Sequence, residues 1–173
     1  MRHSRLIAPV LCLLVSAPDV CLALGPRKAM YVTGTLRGLP DKAEGKRDIT
    51  NPNALVFIAE KGATLSIRWA SIQELEYGRR APRGGRTAAV MKALSVFSRG
   101  PKHFVTITYR DHVDKEQVVL FEFGDEIIRP TLTALREKSR KPLVCQDQEA
   151  ASQAGGACDS VLVAVPPQGE SGK

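Results

Sequence analysis

The side chains that could do chemistry in this sequence are few, and most of them are positively charged. Beyond residue 23 the chain has two histidines, His103 and His112, and neither has the spacing of a nucleophile, a general base or a metal ligand. His112 lies between Asp111 and Asp114, which could hold a cation but is typical of a solvated charged turn. The sequence therefore predicts a protein that is not an enzyme and has no cofactor or metal.

Positive charge is concentrated in residues 78–109, which contain seven basic residues and no acidic ones. The seven are Arg79, Arg80, Arg83, Arg86, Lys92, Arg99 and Lys102. From residue 24 onward the chain has 23 basic and 17 acidic residues, so without these seven it would have 16 against 17 and be close to neutral. A field of one sign attracts surfaces of the opposite sign. We call residues 79–102 the basic segment and expect it to bind an anionic partner.

Within the basic segment, residues 86–99 have the apolar period of an α-helix inserted between two strands. One face carries Val90, Met91, Leu94 and Phe97, and the opposite face carries Lys92, Ser95 and Arg99. An interfacial helix has this pattern, with apolar side chains for acyl chains and cations for headgroups. Such a helix is too short to span a bilayer, which needs about 20 residues. Alternatively, the apolar face packs on the domain itself or on a second copy.

Two classes of function follow from the basic segment. The first is docking on an anionic surface, either membrane lipid headgroups or a polyanion. The second is protein–protein interaction or homo-oligomerisation through the same apolar helix or a free sheet edge. Nucleic acid is disfavoured as a partner because Phe97 is the one aromatic residue among these cations, whereas single-strand binding uses interleaved aromatic side chains.

The N-terminus has the pattern of a secretory signal peptide over residues 1–23. A basic start precedes an apolar run over residues 6–15. The small residues Cys21 and Ala23 stand at positions −3 and −1 relative to the expected cleavage site. We expect cleavage after Ala23 and export to the periplasm or extracellular space, with the protein free or peripherally bound to a membrane. An uncleaved anchor would need a longer apolar run than Pro18 allows, and the residues before Cys21 match a lipid-modified cysteine poorly.

Export makes a disulfide available to Cys145 and Cys158, the two cysteines beyond residue 23. We expect them to pair; two inert thiols or half of a zinc shell are the alternatives. Residues 146–173 are rich in Gln, Ala, Gly, Ser and Pro, which predicts a flexible or disordered tail. A short strand over 161–165 could form there if the disulfide holds it near the domain. The folded domain is predicted over residues 28–145.

Within this domain the dominant apolar period is two, the period of β-strands. The predicted strands cover residues 30–36, 54–60, 63–69, 72–77, 104–109 and 117–123. Turn residues at 61–62 and at 111–115 separate successive strands. Strands in succession without intervening helices predict a mainly β, antiparallel barrel or sandwich.

A single amphipathic helix is predicted after the last strand. Its apolar positions are Ile128, Leu132 and Leu135. Pro130 fits the first turn of a helix that starts near Arg129, or bends one that starts at Glu126. Pro142 ends the helix, and its apolar face is expected to cover the open end of the sheet.

Residues 30–143 resemble bacterial pleckstrin-homology-like and GRAM-like domains. The run 64–78 is similar to their strand pair with the motif isoleucine, proline, tyrosine, two residues, isoleucine, although Arg68 and Trp69 stand where proline and tyrosine are usual. Residues 102–109 and the helix entry at 121–124 also resemble a group of small exported bacterial proteins. The resemblance implies an antiparallel barrel closed by one C-terminal helix, and a ligand-binding or scaffold role without catalytic residues.

Overall fold

The computed structural model describes residues 27–80 and 102–162. Its strands are β1 (Ala29–Gly34), β2 (Ala43–Asp48), β3 (Ala54–Ala59), β4 (Thr64–Arg68), β5 (Ile72–Gly78), β6 (His103–Arg110), β7 (Glu116–Phe123), β8 (Leu143–Cys145) and β9 (Ser160–Val161). The helices are α1 (Asp125–Ser139) and α2 (Gln148–Gln153), and a 3-10 turn covers Trp69–Ser71. The predicted signal peptide and the predicted helix over 86–99 lie outside the described residues.

All nine strands form one sheet that curls into a half barrel, in the order β4-β3-β2-β1-β7-β6-β5-β8-β9. Strands β1–β4 form one antiparallel meander and β5–β7 form another. The antiparallel pairing of β1 with β7 joins the two meanders. Strands β8 and β9 extend the sheet in parallel beside β5. The mainly β prediction is therefore confirmed.

Each of the six predicted strands is present, and both predicted turns connect the strands that they were expected to connect. Gly62 adopts φ +89° in the β3–β4 turn, a conformation that favours glycine. Strand β2 was not predicted because its sequence is mostly charged. Its charges bind neighbouring elements: Glu44 pairs with Lys28 at 2.9 Å, and Arg47 donates to the Thr131 hydroxyl and to the Ile127 carbonyl of α1.

Helix α1 packs its apolar face into the main core of the sheet. Ile128, Leu132 and Leu135 are almost fully buried in that core. The helix begins at Asp125, so Pro130 lies inside it, which is the second of the two predicted arrangements. Near its C-terminal end, Lys138 lies 5.2 Å from the centre of the buried Trp69 ring. Closure of a pleckstrin-homology-like barrel by this helix stays a prediction.

The structure differs from the predicted flexible tail over residues 146–162. Cys145 and Cys158 form the predicted disulfide. The Asp159 carboxylate accepts from Arg136 of α1 and from the Leu143 amide at 2.8 Å. The alanines that made this stretch look like a linker are buried against the core; these are Ala150, Ala154 and Ala157. Small side chains allow close packing here, and the disulfide removes part of the entropy that would keep the stretch unfolded.

Leu135→Asp should lower the free energy of unfolding by several kcal/mol, because it places a charge without a partner in a fully buried site. Thr133→Asp is the matched control, since Thr133 is exposed on the other side of α1. Thermal unfolding of both variants measures the difference. Equal shifts of the melting temperature would show that α1 does not pack on the sheet through Leu135.

Reduction of the Cys145–Cys158 disulfide should destabilise the protein by about 3 kcal/mol in the chain-entropy model, which corresponds to a drop in melting temperature on the order of 10 °C. Thermal unfolding with and without a reductant tests this. In the double Cys→Ala variant the reductant should have no effect. An unchanged melting temperature of the wild-type chain after complete reduction would contradict the stabilising role.

Candidate functional site

The two ends of the basic segment meet beside strands β5 and β6. Arg79 and Arg80 directly follow β5, Lys102 directly precedes β6, and the Lys102 amide donates to the Arg79 carbonyl at 3.4 Å. The other predicted binding residues lie outside the described part of the chain; these are Arg83, Arg86, Val90, Met91, Lys92, Leu94, Phe97 and Arg99. The described structure thus contains the base of the basic segment and brings its two ends together.

Two of the three described cations of the basic segment contact the domain itself. Lys102 pairs with Glu122 at 2.7 Å, and only 2% of the Glu122 side chain is exposed. Arg79 lies against His103 with 12% of its side chain exposed, whereas Arg80 is exposed. Loss of Lys102 would leave a buried carboxylate without its cation, which is strongly destabilising in proteins. Lys102 therefore has a structural role in addition to any docking role.

His103 and Tyr77 form a buried hydrogen-bonded pair. The Tyr77 hydroxyl lies 2.6 Å from His103 Nδ1, and both residues are buried. Burial raises the pKa of Tyr77 to about 12, so its hydroxyl keeps its proton at neutral pH. Burial also lowers the pKa of His103, and the positive charge of Arg79 lowers it further. The imidazole is therefore neutral at pH 7 despite the opposing effect of Asp125.

His103 Nε2 lies close to two groups that require opposite protonation of that nitrogen. Asp125 Oδ1 is at 2.9 Å and can only accept when ionised, whereas Arg79 Nη1 is at 3.1 Å and can only donate. With the proton on Nε2, His103 donates to Asp125 and Nδ1 accepts from Tyr77. With the proton on Nδ1, His103 donates to the Tyr77 oxygen and Nε2 accepts from Arg79. The tautomer of His103 thus decides whether it bonds to the acid or to the guanidinium.

A surface pocket of about 440 Å³ opens at this cluster. Its lining is Arg79, His103, Asp125, Ile128, Arg129 and Gln153. The Arg129 Nε donates to the Gln153 carbonyl at 3.1 Å, which orients that guanidinium between α1 and the end of α2. The Arg79 Nε is buried without a hydrogen-bond partner among the described residues, and it lies 3.8 Å from the Glu149 carboxylate. The pocket therefore contains two guanidinium groups, the type of group that binds oxyanions such as phosphate or carboxylate.

The pocket lining is mostly charged or polar, and Ile128 is its apolar member. Within residues 27–80 and 102–162, no group of three or more His, Cys, Asp or Glu side chains is placed to hold a metal ion. None of the helices in these ranges combines the length and apolarity needed to cross a membrane. The described part of the pocket thus brings together side chains of both charges, with Arg79 and Arg129 opposed by Asp125.

Sequence reasoning named Arg79 as a binding residue and Ile128 as an apolar position of the helix, but it gave the other pocket residues no binding role. Tyr77 lies in a predicted strand and is buried in the main core, and His103 was given no role. The signal was the strand register: Tyr77 is opposite Val105, so His103, two residues earlier, is its diagonal neighbour on the same face. The positions of Asp125 and Arg129 beside His103 depend on how α1 packs on the sheet. No local sequence pattern predicts that packing.

Neither a protein-family model nor a curated protein sequence matches this chain. The resemblance of residues 30–143 to pleckstrin-homology-like domains therefore stays a prediction.

The buried His103 should make stability depend on pH. Its pKa in the folded state is below the ordinary value of 6.5, so the unfolded chain binds more protons between the folded pKa and 6.5. The free energy of unfolding should therefore be highest above pH 6.5, where His103 is neutral in both states. It should decrease as the pH falls from 6.5 toward the pKa of His103 in the folded state. Three carboxyl groups have pKa values below the ordinary 3.8; these are Asp48, Asp111 and Asp159. They change the free energy of unfolding only at lower pH, from about 3.8 downward.

Urea unfolding between pH 5 and pH 8 measures this dependence. His103→Gln should flatten the slope below pH 6.5, because glutamine can accept from Tyr77 but does not titrate. His112→Gln is the matched control, since His112 is exposed in the β6–β7 turn, and it should keep the slope. An unchanged slope in His103→Gln would show that another group is responsible.

Proposed function

We propose that this protein is a non-enzymatic binding module that docks on an anionic surface through its basic segment. The observation that carries the proposal is that both ends of that segment lie next to each other, and that Arg79 at one end lines the pocket together with His103 and Arg129. The cations of the segment and the guanidinium groups of the pocket would then bind the same anionic surface. Phosphate and carboxylate oxygens are the acceptors that arginine binds best.

Charge alone supports reversible docking. Each basic residue near an anionic membrane contributes about 1 kcal/mol before screening. Arg80, Arg83, Arg86, Lys92 and Arg99 together would therefore contribute about 5 kcal/mol, which corresponds to a dissociation constant of roughly 0.2 mM. Contacts of Arg79 and Arg129 with one headgroup would strengthen this. Such binding is weak enough to release at moderate salt.

The fold and the disulfide support two further parts of this proposal. A curled, mostly antiparallel sheet with α1 packed in its core fits a pleckstrin-homology-like barrel, a fold used by binding modules. The Cys145–Cys158 disulfide fits an oxidising compartment, hence export and cleavage of residues 1–23. We therefore place the docking surface outside the cytoplasm, on a membrane surface or an extracytoplasmic polyanion.

Co-sedimentation with vesicles tests the docking. The protein should bind vesicles that contain anionic phospholipid at low salt, release them as salt rises, and bind neutral vesicles poorly. The triple change of Arg80, Arg83 and Arg86 to Gln should weaken binding at least tenfold, with little change in melting temperature. Changing Arg37, Lys61 and Arg68 to Gln is the matched control, since these exposed cations lie elsewhere on the surface.

The remaining outcomes separate the alternatives. Retention on heparin without vesicle binding would identify a polyanion in place of a membrane. Equal loss of vesicle binding in the control variant would contradict docking through the basic segment. A salt-insensitive oligomer in sedimentation, with neither vesicle nor heparin binding, would favour the protein–protein interaction class.

A further inference from the structure

The Arg79 guanidinium is short of hydrogen-bond acceptors, although most of the side chain is buried. Only 12% of the side chain is exposed. Its Nε is buried without a hydrogen-bond partner among the described residues, and the Glu149 carboxylate at 3.8 Å is too far away for a hydrogen bond. A buried donor without an acceptor lowers the free energy of unfolding. An acceptor atom from a ligand would remove this cost.

A second donor of Arg79, Nη1, competes with Asp125 for one nitrogen of His103. Nη1 lies 3.1 Å from His103 Nε2, and Asp125 Oδ1 lies 2.9 Å from the same nitrogen. When the proton is on Nε2, His103 donates to Asp125, and the N–H of Arg79 faces another N–H. A ligand oxygen between Arg79 and His103 would accept from both donors.

The Asp125 carboxylate can leave this place without a change in the fold. Its side chain is 84% exposed, although it contacts the buried His103. Main-chain bonds fix the start of α1, because the Gly124 amide donates to the Lys28 carbonyl and the Gly124 carbonyl accepts from the Ile127 amide. Rotation of the Asp125 side chain therefore moves its carboxylate into water and leaves α1 in position.

The surroundings of the Asp125 carboxylate attract negative charge. Asp125 is the first residue of α1, and the N-terminus of a helix carries the positive end of the helix dipole. Arg129, one turn further along α1, lines the same pocket as Arg79. The acidic residue on the other side of Arg79 is Glu149, which is 54% exposed. Two guanidinium groups and a helix N-terminus thus favour an anion here, and Asp125 supplies its charge.

We propose that this pocket binds one tetrahedral oxyanion of the phosphate-monoester class, and that Asp125 is a tethered competitor for the same place. The bound oxyanion accepts from His103 Nε2, from Arg79 and from Arg129, while Asp125 turns toward solvent. A phosphate monoester has three terminal oxygens for these three donors, whereas a carboxylate has two. The inference rests on the docking proposal, because it specifies which group of the anionic ligand enters the pocket.

Tyr77 can hold His103 in the tautomer that this binding requires. The Tyr77 hydroxyl is buried and lies 2.6 Å from His103 Nδ1. When it donates to Nδ1, the imidazole carries its proton on Nε2, the nitrogen that lies beside Arg79 and Asp125. The neutral imidazole is therefore already a donor to an oxyanion.

Titration with sulfate tests the site, because sulfate is a tetrahedral dianion whose charge is constant around neutral pH. Nuclear magnetic resonance of the full chain should show saturable shifts of the His103 ring nitrogens. His112 is the internal control, since it is exposed in the β6–β7 turn and should not shift. Equal shifts of both histidines, or no shift of His103, would contradict binding in this pocket.

Three exposed residues of α1 allow matched variants. Asp125→Asn should bind sulfate about fivefold more tightly, because it lacks the competing charge and keeps the size of the side chain. Glu126→Gln is the control, since it removes the same charge from a residue that pairs with Arg27 at 2.5 Å. Arg129→Gln should weaken sulfate binding about tenfold. Thermal unfolding verifies that each variant folds, and equal gains in Asp125→Asn and Glu126→Gln would overturn the role of Asp125.

Vesicles of equal surface charge distinguish a lipid headgroup from a free phosphate monoester. If the source is a headgroup, the protein should prefer phosphatidic acid, a monoester, to phosphatidylglycerol, a diester, and Arg129→Gln should lose that preference. Equal binding to both lipids, with sulfate binding intact, would assign the pocket to a free phosphate monoester.

The two proposals can fail separately. Vesicle binding without sulfate binding, in both the wild type and Asp125→Asn, would overturn the inference about the pocket and leave docking through the basic segment in place. Sulfate binding at His103 without vesicle binding would support the pocket and contradict the docking proposal.

Discussion

The pairing of β1 with β7 is the interaction on which the rest of this structure depends. It joins two meanders that would otherwise be separate small sheets, and it does so across almost ninety residues of chain. The pairing places Tyr31 beside Phe121, which also contacts Phe57 and Phe123. These aromatic contacts must offset a large loop-closure entropy, which is why the register is fixed by large, fully buried side chains.

The same junction positions the polar site. The Gly124 amide, directly after β7, donates to the Lys28 carbonyl, directly before β1, at 3.0 Å. Helix α1 starts at that point, so Asp125 is carried to within hydrogen-bond distance of His103 at the start of β6. A buried histidine between an acid and a guanidinium is thus a consequence of where the two meanders meet. Its position also explains why the ends of the basic segment are held close together.

The sequence predicted the elements whose own side chains decide their conformation. Six strands with alternating apolar residues and one helix with an apolar stripe were visible without a structure, as was the disulfide. Strand β2 was not, because its residues are charged and it is held by pairing on both sides and by contacts of Glu44 and Arg47. Helix α2 was not, because alanines pack well only when a surface is already present, as at Ala150.

The disulfide has a consequence for how the sheet ends. Strand β9 is two residues long and is held next to β8 by the Cys145–Cys158 bond and by Asp159. A long, regular outer strand is a template for pairing with other chains, and proteins avoid this by keeping such strands short or blocked. Without the covalent bond, β8 would become the outer strand and present its free backbone groups. Oxidation of the two cysteines therefore helps to keep β8 paired on both sides, with its backbone groups bonded within the sheet.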